Sequence, residues 1–160
     1  MIRILFLLVL LLSSSSVWSS ENNSSQKQLD CLAKGIYYEA SGESTEGKIA
    51  VGVVILNRVE SPKYPKSICG VIHEKHIVKG EMVCQFSWFC NPPKPIKYKE
   101  KWEESLDVAR NILTYRQSYD RLHGVMFFHE KHIYIPKSWN GNHHVVAVIG
   151  NHIFYKRREA

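Results

Sequence analysis

The chain has 160 residues with a formal net charge of +6, and 44% of them are hydrophobic, enough for a folded core. Setting aside a leader-like N-terminal stretch leaves about 135 residues, which suits one domain with a modest core, and no second module is expected. The basic balance favours an anionic partner, but it is shared between Lys94 to Lys101 and Lys156 to Arg158, so no nucleic-acid motif forms and no nucleic-acid partner is expected.

In chain order, Arg3, the apolar run Ile4 to Leu12 and the small residues Ser13 to Ser20 predict a signal peptide over 1–20, cleaved near Ser19. The run is shorter than the roughly 20 apolar residues that span a bilayer, so no stable membrane insertion is expected after cleavage. Residues 21–28 are polar and aperiodic and read as a flexible tether, with the folded domain over 29–157. Leu29, Leu32, Ala33, Ile36 and Tyr37 recur at helical spacing, and Gly42 stops that helix. Ser44 or Thr45 caps the next one. Its stretch Ile49 to Leu56 is apolar on nearly every side, which predicts a central, buried helix. Asn57 and Arg58 emerge at its end, where they are expected to bond neighbouring loops.

Pro62 and Pro65 bracket a turn, Ile68 to Ile72 begins a short segment, and Pro92, Pro93 and Pro95 mark a loop. A further helix is predicted over 101–115, with Trp102, Leu106, Ala109 and Leu113 as its buried stripe and Val108 and Ile112 flanking. The last third changes character. Val125 to Phe128 and Ile133 to Ile135 read as short strands, and Val145 to Ile149 with His152 to Tyr155 as a hairpin turning at Gly150-Asn151. The fold class is α+β, mainly helical: a single domain with a small C-terminal antiparallel β-hairpin region.

Four cysteines, Cys31, Cys69, Cys84 and Cys90, follow the predicted leader, and an even count in an exported chain argues for two disulfides. Pairing Cys84 with Cys90 and Cys31 with Cys69 is one of three connectivities. The spacing of a zinc site is absent, and no metal or other cofactor is expected. The pentapeptide His-Glu-Lys-His-Ile occurs at 73–77 and 129–133, but its histidines are three apart rather than the four of a zinc-protease helix.

Glu39 carries the strongest chemical signal. It sits where the first helix meets Gly42 and Glu43, ahead of the apolar stretch, so burial is expected to raise its pKa toward the range of a general acid working near neutrality. Glu43 is a second carboxylate with two readings: a structural bond to backbone at the helix junction, or a base that activates water.

The runs Cys31-Leu-Ala-Lys-Gly-Ile-Tyr-Tyr-Glu39-Ala-Ser-Gly-Glu43 and Glu46 to Val59 resemble the cell-wall hydrolase family typified by spore-cortex-lytic enzymes. Tyr64 to Ile72, Cys84 to Cys90, Phe128-His129, Trp139 and Gly150 to Tyr155 resemble its later segments, in order, so the likeness covers most of 31–155. This resemblance implies a lysozyme-like catalytic domain that cleaves peptidoglycan between N-acetylmuramic acid and N-acetylglucosamine. It also implies Glu39 as the catalytic acid of a lytic transglycosylase, giving 1,6-anhydro products. Two-carboxylate muramidase hydrolysis and a non-catalytic, secreted glycan-binding module are the alternatives. Gln85 and Ser87 are candidates to bond sugar amides or hydroxyls, Tyr38, Trp88 and Trp139 to stack on pyranose rings, and His129 to orient a sugar or a carboxylate. The expected molecule is a monomer, exported to the periplasm or secreted. It is expected to depart from better-known relatives in having no separate wall-binding module, and its cysteines suit a periplasm better than a spore.

Overall fold

The computed structural model describes residues 15–90, 95–133, 135 and 141–158. Five α-helices and five strands are seen among them: α1 (Ser15–Ala40), α2 (Thr45–Glu60), α3 (Ile68–Ile72), β1 (Lys75–Val78), β2 (Glu81–Cys84), α4 (Ser87–Cys90), α5 (Lys99–Thr114), a 3₁₀ segment (Arg116–Leu122), β3 (Phe127–Glu130), β4 (His143–Ile149) and β5 (His152–Arg157). The expected class, mainly helical with a small antiparallel sheet at the C-terminal end, is the architecture observed.

Helix α2 is the centre of the core. Ser44 caps it by accepting the Gly47 N–H at 3.3 Å, and Gly47 through Arg58 are buried except Ile49. Val51, Val53, Val54 and Ile55 are fully enclosed, each stabilising the fold by about 1.5–3 kcal/mol relative to exposure. Helices α1, α3 and α5 pack around α2. Gly52 permits the approach of α5, because a Cβ there would overlap the Ile112 side chain and lie 3.1 Å from Ile36. That contact settles how the last turn of α5 faces: Leu106 and Ala109 are buried as predicted, but Ile112 is fully buried and Leu113 exposed, the reverse of the expectation at that pair.

Three further expectations change. Residues 21–28 belong to α1 rather than to a tether. Gln26 donates to Asp30 one turn on at 2.9 Å, and the Gln28 side chain accepts the Cys69 N–H at 3.1 Å, so tertiary contacts hold a polar stretch helical. The predicted signal peptide lies largely outside the described residues, and no described helix is long and apolar enough to cross a membrane. The strand expected over 125–128 forms over Phe127–Glu130, while Ile133 lies in a bend that follows a turn.

Strand β5 is the middle of a three-stranded antiparallel sheet ordered β3-β5-β4, with Phe128 opposite Phe154 and Ile149 opposite His152. The β4–β5 hairpin turns at Gly150-Asn151 as expected, with a positive φ of 55° at Gly150 alone, the pattern of a type II′ turn. A second hairpin, β1–β2, turns through Lys79 and Gly80, both at positive φ. The disulfides are Cys31–Cys69, joining α1 to α3, and Cys84–Cys90, closing the loop that carries α4.

Candidate active site

Glu39 lies in the last turn of α1, half-buried, and its Oε1 accepts the Trp88 indole N–H at 2.8 Å. Trp88 comes from α4, a single turn held at its end by the Cys84–Cys90 bond, and its ring stacks on Tyr38 with centroids 4.4 Å apart. Three sequence candidates thus meet at one place, and Phe86 supports Trp88 from the core at 6.0 Å.

Burial is the main influence on Glu39 and pushes its pKa above the usual carboxylate range. The Trp88 N–H and the Arg58 charge pull the other way, and the charge of Glu130 adds to the rise. Arg58 is itself enclosed. Its Nε and Nη2 donate to the Met126 carbonyl at 3.0 and 2.9 Å, and its guanidinium lies between the rings of Tyr64 and Phe86 at 5.6 and 5.5 Å. Asn57 donates to the carbonyls of Leu122 and Val125 at 2.8 and 2.7 Å, so both residues tie α2 to the loop ahead of β3.

Glu43 takes a backbone partner: Oε2 accepts the Asn151 N–H at 3.0 Å, and Oε1 lies 3.9 Å from His152 Nδ1. A Cβ at Gly150 would collide with that carboxylate, so the turn needs glycine for space as well as for φ. His152 is buried, which lowers its pKa, while the charges of Glu43 and Glu130 raise it and that of His129 lowers it. The Glu43 carboxylate, bonded to the Asn151 N–H and facing His152, clamps the helix junction to the sheet.

His129, on β3, has Nδ1 2.7 Å from the Glu130 carbonyl and Nε2 2.7 Å from the Tyr155 hydroxyl. A carbonyl only accepts, so Nδ1 carries the hydrogen, and in the neutral ring Nε2 accepts from Tyr155. Gln85 is half-buried with its backbone N–H donating to the Glu74 carbonyl at 2.9 Å, and Ser87 is exposed at the start of α4. Trp139 lies outside the described residues. No cluster able to hold a metal ion occurs among the described residues. Glu130 is the group that the sequence did not single out, because nothing in its spacing relates it to a glutamate more than half the chain away.

A family profile described as Cell Wall Hydrolase matches residues 42–155, beginning just after Glu39. The spore cortex-lytic enzyme of Bacillus subtilis (strain 168) is 48% identical over 50 residues, which are 31% of this chain and 16% of that enzyme. That of Oceanobacillus iheyensis is 46% identical over 50 residues, 31% of this chain and 18% of the enzyme, so the matches span under a fifth of these relatives' length. Among solved structures, the catalytic domain of the Bacillus cereus SleB protein is similar with a TM-score of 0.58 and 25% identity, over 82% of this chain and 91% of that one. The catalytic domain of the germination-specific lytic transglycosylase SleB from Bacillus anthracis has a TM-score of 0.61 and 26% identity, over 82% and 95%. With the profile spanning most of the folded part, from the α1–α2 junction through β5, the chain belongs to the cell wall hydrolase family.

Proposed function

We propose that this protein cleaves the glycan strands of peptidoglycan between N-acetylmuramic acid and N-acetylglucosamine, acting as a lytic transglycosylase outside the cytosol. The observation that carries the reading is Glu39: a carboxyl sheltered from water, fixed by one indole N–H, with an aromatic pair beside it. Raised pKa favours the protonated form that gives its proton to the departing glycosidic oxygen as the bond to the muramoyl anomeric carbon breaks. The resulting carboxylate then takes the proton of the muramoyl 6-hydroxyl while that oxygen bonds to the anomeric carbon. One fragment ends in a 1,6-anhydro sugar, the other regains a hydroxyl, and water is not consumed. Likeness to the B. anthracis lytic transglycosylase supports this step. Tyr38 and Trp88 provide an aromatic platform for a sugar face, and two disulfides suit an oxidising compartment.

The rival mechanism, hydrolysis with a second carboxylate, has one observation in its favour: the charge of Glu130 reaches Glu39. Glu43, the base suggested by spacing, is committed to the Asn151 N–H. Digestion of purified peptidoglycan with mass analysis of soluble muropeptides separates the two. Anhydro ends are expected; reducing ends would replace the transglycosylase with a hydrolase, and intact sacculi with protein bound would replace both with a glycan-binding module.

The pH profile tests the Trp88 contact. Phe at position 88 keeps an aromatic ring but removes the donor, which is one of the influences holding the Glu39 pKa down. In Trp88→Phe the rate at neutral pH should fall about tenfold, and the alkaline limb, where the acid loses its proton, should move to higher pH. A limb that stays in place would separate Trp88 from the acid.

A further inference from the structure

A groove of about 780 Å³ lies between the β1–β2 hairpin and the end of β5. Lys63, Lys156, Arg157 and Arg158 line one part of it, and Glu74 and Gln85 another. No carboxylate pairs with any of the four cations among the described residues. The groove and Glu39 share a wall, because Tyr64 and Met126 line the groove and both hold Arg58, whose charge acts on Glu39. Glu74 supplies the opposite chemistry: its Oε2 is buried without a hydrogen-bond partner, and its Oε1 lies 3.6 Å from His76.

We infer that this groove receives the acidic peptide stem of the muramoyl residue, so that the enzyme selects glycan strands still carrying their peptides. The inference rests on the peptidoglycan reading above. A peptide stem is a short chain with several carboxylates and N–H donors, hung from the sugar next to the bond being cut. Four unpaired cations suit its carboxylates, and the orphaned acceptor of Glu74 suits an amide or ammonium N–H. The volume fits a short peptide better than a lone ion. A bare glycan carries none of this charge and leaves Glu74 without a donor.

Binding is measured with the full-length Glu39→Gln protein, which keeps strands intact, on purified strands with their stems and on the same strands stripped by an amidase. Stem-bearing strands should bind about tenfold more tightly, and adding Lys156→Gln and Arg157→Gln should remove that preference. Lys63→Gln, on a different segment, should reduce it too and guards against a local folding defect at β5. Equal binding of both strands, or a preference that survives these changes, overturns the inference. So does a loss seen equally with vesicles of anionic phospholipid, which would make the groove a membrane contact. Cleavage of both strands by the wild type without preference would overturn the groove alone, whereas a wild type inert on both would remove the peptidoglycan reading beneath it.

Discussion

Glu39→Gln should cut peptidoglycan cleavage by about 10³-fold, the scale of a general acid–base contribution, while leaving the fold at least as stable as before. Gln retains an oxygen that accepts the Trp88 N–H, so the pocket keeps its shape and loses only the transferable proton. The stability sign follows from the direction of the shift. Folding raises this carboxyl's pKa, so its ionised form is disfavoured in the folded protein, at full cost above the folded pKa. That cost fades as pH falls through the folded value toward the ordinary carboxylate range. The neutral amide escapes it, so thermal unfolding at pH 7 should show the variant equal to or above the wild type, with the difference shrinking in acid. Turnover that persists in Glu39→Gln would dismiss Glu39 as the acid, and a large drop in melting temperature would instead make it structural.

The largest stability effect is expected from the Cys31–Cys69 bond. It closes 38 residues of sequence, and the chain-entropy relation assigns a loop of that length about 4 kcal/mol. Its Cα atoms are 5.2 Å apart, and both cysteines are buried in the core cluster that includes Leu32 and Ile72. Replacing both cysteines with Ala should therefore lower the unfolding free energy by about 4 kcal/mol in denaturant titration, a large share of the 5–15 kcal/mol typical of a domain. A loss under about 1 kcal/mol would mean that packing alone holds α1 against α3. The Cys84–Cys90 bond spans 6 residues, for which the same relation gives about 2 kcal/mol; its main consequence is local, because it anchors the turn that presents Trp88.

Much of this molecule was legible before folding. Helix α2 is apolar around its circumference, and only a central position satisfies such a segment; Ser44, Gly42 and the Gly150-Asn151 pair announce cap, stop and turn through local chemistry. Glu39 was legible for the same reason, since an acid at the end of a buried helix faces desolvation whatever surrounds it. The β1–β2 hairpin was not, because Ile77, Val78, Met82 and Val83 are exposed and show no alternation, leaving Lys79-Gly80 as its one local signal.

What tertiary structure decided were relations between distant segments. A polar stretch became helical because Gln28 and Cys31 are held by Cys69, and α5 turned Ile112 rather than Leu113 inward because Gly52 leaves room for it. Glu43 was assigned to the Asn151 N–H, and the charge of Glu130 was brought to bear on Glu39 across most of the chain. Periodicity and capping act over a few residues and can be read along a line. Hydrogen-bond partners, facing surfaces and electrostatic neighbours depend on distances through space, which exist only once the core has closed.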